Sequence, residues 1–395
     1  MKIGTVAIAV LFAIVPLYGT LVALDPARPA IPAVVPHAVA AAIGVLALAA
    51  LALAVPPALR VMRRDRLTAA FLAPGLATIA AAIPGFDPPL GIGLGLLVLG
   101  QGAAGLAIAR GADAAATRLF IRTFLGSAIV ACGLALAMQI AHRPAAVYAY
   151  DNGRAVGTFL NPNELAAYTL MALAVAVPLA VVTRGRDRLA TAAAIVLAVT
   201  LLATFSRFGL LCAVLGIAVF ALLSRARLLL AAAVAVALAG VALDLAEGAR
   251  HHNPRDTEAR AVAWQTGLTT FERFPLLGVG PLAFPRTYDA FRPPAAPGDR
   301  TAVAFDPHSL PLAFAAEGGI VAVVTLVASF AVVLGAVLRA ARSAGALPRT
   351  LAFALAAGLV AVMSDSAINT ISLLFPLGLQ VVPLALAVNR TDALA

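Results

Sequence analysis

Residues 247–309 read EGARHHNPRDTEARAVAWQTGLTTFERFPLLGVGPLAFPRTYDAFRPPAAPGDRTAVAFDPHS, a polar, arginine-rich stretch flanked on both sides by long apolar runs. It is the one long segment that cannot lie in lipid, and it holds the chain's single Trp and three of its five His. Outward from it the chain is apolar. Of 395 residues 62% are hydrophobic and 12% charged, with a mean hydropathy of +1.00. A soluble globule of that composition would expose far too much apolar surface. A hydrocarbon core about 30 Å thick needs ~20 apolar residues per helix, and the runs have that length. None alternates in the manner of a membrane barrel. The sequence therefore predicts an all-α fold, a polytopic membrane helical bundle forming a single integral membrane domain over 1–395.

The net charge is +10. In a soluble protein that would suggest nucleic acid, but here most basic residues stand at helix ends, so orientation explains them and no nucleic-acid partner is expected. Cys132 and Cys212 both fall inside apolar runs, which predicts neither a disulfide nor a metal site. The first run, Ile3 to Leu24, follows a single Lys2 and lacks a convincing cleavage site, so it reads as a helix rather than a signal peptide.

About twelve spans are expected, at 3–23, 37–59, 67–84, 89–109, 118–141, 163–182, 188–205, 207–223, 228–246, 309–338, 350–369 and 371–389, with a break near Asn369 between the last two. With a cytoplasmic N-terminus, every inner connection is basic: Arg60, Arg63, Arg64 and Arg66, then Arg110 and Arg118, then Arg184, Arg186 and Arg188, then Arg225 and Arg227, then Arg339, Arg342 and Arg349. The short outer connections are poor in Arg. Two long ones, the outer loop 142–162 and the large loop 247–308 between spans nine and ten, are exempt from the charge rule and fall on the same outer side. No internal repeat is visible, which counts against a transporter built from duplicated halves.

The outer loop contains Gly153, Gly157 and Asn161-Pro162-Asn163, turn chemistry that delivers the chain into span six with Asn163 as N-cap. Arg154 stands on the outer face beside that helix start, where a cation suits a phosphate; its bland alternative is a solvated or headgroup-bound arginine. Arg207, in TFSRFGLL at the junction of spans seven and eight, must face a wet cavity or a partner, unless it merely snorkels. Thr257 to Phe274 reads as an amphipathic helix with the stripe Ala261, Trp264, Leu268 and Phe271 and with Arg260 at its edge, lying on the bundle or on the lipid interface. The following FPLLGVGPLAF ends that helix at Pro275 and turns on Gly278 and Gly280. His308 sits at the outer mouth of span ten, where an imidazole is a candidate base or a hydrogen-bonded structural residue. His251 and His252 read as solvated. Glu317 lies too deep to be free in lipid, so it is expected to pair with an arginine or line a cavity.

In order along the chain stand G-R-x-x-G-T-F-L-N-P-N, S-R-F-G, R-x-x-x-W with P-L-L-G-V-G, and H-x-x-x-L followed by E-G-G. The set resembles the bacterial O-antigen ligase and O-antigen polymerase superfamily over about Asp151 to Ile320. The resemblance implies an inverting, metal-independent membrane glycosyltransferase of the GT-C type in the bacterial inner membrane, its site facing the periplasm. The implied donor is an undecaprenyl-diphosphate-linked glycan. The family's functional arginines fall on Arg207 and Arg260 and its histidine on His308; Arg154 matches less decisively. Ser309 departs from the pattern, since members often carry Asn there.

The residues support the same chemistry. Arg207 and Arg260 would bind the diphosphate oxygens as forked, permanent cations, and His308 would take the acceptor's proton. Arg154, Asn161, Asn163, Trp264 and Glu317 are candidate substrate-binding residues. No D-x-D pair occurs in an outer loop, so neither a metal nor another cofactor is expected. The acceptor is a lipid A core sugar for a ligase, a lipid-linked glycan for a polymerase, or a protein serine. A lipid-linked oligosaccharide transporter would place its arginines within the spans and would not need a long outer lid; a non-catalytic membrane scaffold is the remaining class.

Overall fold

The computed structural model describes residues 2–18, 36–150, 152–159, 161–225, 231, 234–242, 245–246, 255–294, 306–343, 345–366 and 377–391. Among them the chain is built of helices: α1 (Ile3–Ile14), α2 (His37–Val61), α3 (Arg66–Ala82), α4 (Pro88–Leu106), α5 (Ala114–Ala141), α6 (Ala145–Tyr150), α7 (Pro162–Val182), α8 (Arg188–Ala203) and α9 (Arg207–Ser224) come first. After them stand α10 (Arg255–Arg273), α11 (Phe284–Phe291), α12 (Leu310–Ser343), α13 (Ala346–Ser366) and α14 (Pro383–Thr391). A π-helical turn at Ala107–Gly111 prolongs α4, and another at Leu377–Val381 precedes α14.

The helix starts follow from short polar side chains where lipid gives way to water. The carboxylates of Asp65, Asp87, Asp113 and Asp187 accept from the backbone N–H three residues on and open α3, α4, α5 and α8. Ser206 does the same for α9. Each cap meets a donor that the helix cannot satisfy internally, an interaction worth ~1 kcal/mol.

Among the described residues seven helices are long and apolar enough to cross a membrane, and Ile3–Tyr18, Arg66–Ala82 and Arg188–Ala203 are shorter apolar helices. The chain is a multi-pass membrane protein. The expected ninth span lies partly, and the break near Asn369 wholly, outside the described residues, as do His251 and His252. The expected tenth span is not one rod. Gly319, at φ 63 and ψ −164, breaks α12 into a short leading helix and a long one beginning at Ile320.

The core sits around α7, whose Tyr168 is fully buried between the rings of Phe124 and Phe159. Small residues let the helices close on one another: a Cβ at Gly102 of α4 would overlap the Phe71 carbonyl of α3. In lipid, dispersion at such approaches replaces the hydrophobic drive that water would supply.

Consecutive antiparallel helices put the connections 83–87, 142–161 and 204–206 at one end of the bundle. Connections 62–65, 112–113 and 183–187 fall at the other, with Arg63, Arg64, Arg184 and Arg186. There Arg110 pairs with Asp65 and donates to Thr68 Oγ1 at 3.0 Å, and Arg390 donates to the Ala112 carbonyl. The basic end and the end bearing the long loops are opposite.

Candidate functional site

The loop 152–159 folds inward at the end opposite the basic one. Ala155 N–H donates to the Ala203 carbonyl at 3.0 Å, and the Gln139 amide donates to the carbonyls of Gly153 and Ala203. Thr158 Oγ1 reaches the Pro16 carbonyl at 2.6 Å. This sets Arg154 against the junction of α8 and α9. Its Nε donates to the Thr204 carbonyl at 2.8 Å and its Nη2 to Asn163 Oδ1 at 3.3 Å. The same oxygen accepts from Ser206 Oγ at 2.8 Å. One amide oxygen therefore ties Arg154 to the cap of α9, whose first residue is Arg207. The α7 cap is Asn161, which accepts from the Asn163 N–H at 2.8 Å, two residues ahead of the expected cap. Asn163 is thereby released for the bridge.

Arg207 is exposed on the first turn of α9. It stands on the wall of an apolar groove of about 360 Å³ that also includes Leu210, Val214, Val236, Gly240 and Val241. A cation at a helix N-terminus is opposed by the helix dipole, and an anion sharing that place would relieve both charges.

The polar stretch supplies a second group. On α10, Trp264 donates its indole N–H to the His308 carbonyl at 3.4 Å, and Arg260 lies one turn before it. His308 is held at φ 50, its N–H donating to Asp306 Oδ1 at 2.7 Å, with its own Nδ1 3.9 Å from the same oxygen. The imidazole leads directly into α12.

α10 packs on the bundle through a face other than the apolar stripe, for which either the bundle or the lipid interface was expected. Ala263, Thr266, Gly267 and Thr270 are buried, while Ala261, Trp264 and Leu268 of the predicted stripe are exposed and Phe271 is half-buried. Size outranks hydrophobicity here, because small residues let α10 approach α12 closely, with Gly267 against Leu312.

Two glycine motifs that sequence reading treated as a turn and a helix interior prove to be partners. Val279 and Gly280 donate to the carbonyls of Ala316 and Glu317, each at 3.0 Å, and Ile320 donates back to Pro275 at 2.8 Å. Phe86 N–H reaches the Val279 carbonyl at 3.0 Å, so the α3–α4 tip joins the same clasp. Glu317 accepts from the backbone N–H groups of Leu282 and Phe284 at 3.0 and 3.1 Å. Its carboxylate anchors the loop at the start of α11. The signal available in the sequence was an acid inside an apolar run beside Gly318-Gly319, matched by a Gly-x-Gly.

Two outcomes follow. Glu317→Ala leaves two N–H donors without that acceptor, a loss of about 1–3 kcal/mol, and should speed amide exchange across 279–288 while the spans stay protected. A second anchor joins Arg286 to Asp87. That arginine first, and the Leu90 N–H next, hold the Asp87 carboxyl below the ordinary carboxylate range. A depressed value means that the contact contributes above the ordinary carboxylate pKa and is lost as pH falls through the lowered one. Acidification should therefore raise exchange over 284–291. Asp87→Asn, which can still cap α4, should show that raised exchange already at neutral pH.

The structure thus joins Arg154, Asn161 and Asn163 to the junction bearing Arg207, and it joins Trp264 to His308, with Arg260 on the same helix and Glu317 in the clasp. Residues 192–327 match the family model described as O-antigen ligase, about a third of the chain. That segment contains Arg207, Arg260, Trp264, His308 and Glu317, while Arg154, Asn161 and Asn163 precede it. No curated protein matches the chain.

Proposed function

We propose, from the match of residues 192–327 to the O-antigen ligase family, that the chain is a member of the O-antigen ligase and polymerase superfamily and transfers a glycan from undecaprenyl diphosphate to a sugar hydroxyl of lipid A core. The observation that carries this reading is Arg207: a guanidinium on the first turn of a helix, on the wall of an apolar groove, its neighbour Ser206 bridged through Asn163 to Arg154. A lipid diphosphate has that shape of chemistry, an apolar tail with two phosphates at its end.

In this reading the acceptor hydroxyl oxygen attacks the anomeric carbon from the face opposite the leaving group. The bond from that carbon to the diphosphate oxygen breaks, and configuration inverts. Arg207 and Arg260 take up the charge that grows on the departing diphosphate, so no metal is needed for it. His308 accepts the proton released by the hydroxyl. Arg154, Asn161 and Asn163 hold the Arg207 turn in place, Trp264 holds the His308 backbone, and Glu317 anchors the loop between them. The end bearing the long loops faces the periplasm, with the basic end in the cytoplasm of a bacterial inner membrane.

Reconstitution with a lipid-diphosphate glycan and purified lipid A core, with chelator present, tests this. Glycosylated lipid A core is the expected product. Elongated lipid-linked chains instead would make the acceptor a second carrier-bound glycan, the work of a polymerase. Glycan moved across the bilayer without a new glycosidic bond would make the chain a transporter.

A further inference from the structure

A helical projection at ~100° per residue divides α10 into three sectors. One is packed against the bundle: Ala263, Thr266, Gly267 and Thr270 are buried. Beside it runs an apolar ridge, Trp264 and Leu268, 38% and 52% exposed, with Ala261 and half-buried Phe271. Beyond the ridge come Glu258, Gln265, Thr269 and Glu272. A helix fully immersed in water gains nothing from a Trp–Leu ridge, and one fully covered by protein would not leave it open. Three sectors suit a helix that meets protein, lipid and water on three sides.

The ridge continues into surface that must face lipid. Leu276, 68% exposed, follows α10 directly, and its carbonyl accepts from Val321 of α12. Below Val321 on that spanning helix, Val324 and Val327 are 58% and 59% exposed. We propose that α10 is seated in the outer leaflet at the headgroup boundary, its Trp264–Leu268 ridge in the bilayer and continuous with the lipid-facing side of α12. Arg260 falls on the border between the packed sector and the ridge. Seating the helix thus places that guanidinium at the seam of lid, bundle and bilayer, where a phosphate carried by a lipid arrives without leaving the membrane. The assignment of Arg260 to the diphosphate rests on the function proposed above; the seating does not.

Trp264 is the only tryptophan, so its fluorescence reports this helix alone. The full-length protein, without substrate, would be placed in vesicles whose lipids carry spin labels either near the headgroup or deep in the acyl chain. Strong quenching by the shallow label, weaker quenching by the deep one and little by aqueous iodide is the expected result. Leu268→Glu should lose most of the shallow-label quenching. Because Leu268 is exposed, the thermal unfolding of that variant in detergent should match the parent. Quenching by iodide alone would overturn the proposal by placing the ridge in water. Shielding from both quenchers that disappears on diluting the protein among vesicles would overturn it in favour of a second copy covering the ridge. Unchanged lipid quenching in Leu268→Glu would overturn it as well. No glycan transfer enters the measurement, so a seated helix in a protein without transferase activity would fault the proposed function alone.

Discussion

Arg207→Ala is expected to lower glycan transfer by on the order of 10²-fold or more while leaving the protein folded. The two halves of that expectation have different sources. Folding should survive because Arg207 is exposed and because the cap of α9 belongs to Ser206, whose bonds to Gly209 and Asn163 the substitution does not touch. On the proposed mechanism transfer should fall because charge grows on the diphosphate as its bond to the anomeric carbon breaks, and Arg207 is the cation on the wall of the groove lined by Leu210, Val214 and Val241. Arg207→Lys keeps the charge but loses the planar fork, and should recover only part of the rate. Initial rates in proteoliposomes, with donor varied, separate a lost binding contact from a lost transition-state contact. A variant at full turnover would remove Arg207 from the site.

The bundle was legible because its determinants are local. Apolar runs of spanning length, and Asp or Ser ahead of α3, α4, α5, α8 and α9, mark the helices and their starts without reference to the rest of the chain. Asn161-Pro162-Asn163 shows where local reading fails. Either asparagine could cap α7, and the choice is made by Ser206 and Arg154, 43 and 9 residues away from Asn163, which engage its side chain. Which face of α10 packs on the bundle was not fixed by local reading either. Amphipathic periodicity finds an apolar stripe, but in a membrane protein an apolar stripe can face lipid, and the helix-packing face is chosen by size. The clasp between 275–280 and 316–320 was invisible because backbone pairing leaves no side-chain signature beyond glycine. Arg207 and His308 stood out alone, since a charge or an imidazole beside lipid is conspicuous in any sequence. What ties them to their neighbours is a set of long-range bonds to backbone carbonyls and to the Asn163 side-chain oxygen, and those require the fold.

Gly319→Ala should have a large effect for a single added methyl group. At φ 63 and ψ −164 Gly319 occupies backbone space that is essentially confined to glycine, and a Cβ there would overlap the Leu276 carbonyl. The strain alone costs about 1–3 kcal/mol. The chain can escape it by adopting helical angles, which alanine favours. Straightening α12 would rotate residues 310–318 into line with the helix beyond Ile320 and part the bonds from Val279 and Gly280 to Ala316 and Glu317. Without those bonds Glu317 no longer meets Leu282 and Phe284, and His308, at the head of the displaced segment, leaves Trp264. Transfer should be lost along with protection of 275–291 from amide exchange, while the spans away from the break keep theirs. Gly133→Ala provides the comparison, since a Cβ at that position in α5 meets nothing within 4 Å and should leave both readouts unchanged. If Gly319→Ala instead keeps the lid protected and the enzyme turning over, the break in α12 is not what sets His308 in place. The imidazole would then owe its position to Asp306 and Trp264, and Trp264→Phe, which removes the indole N–H but keeps an aromatic ring, would become the substitution that decides the matter.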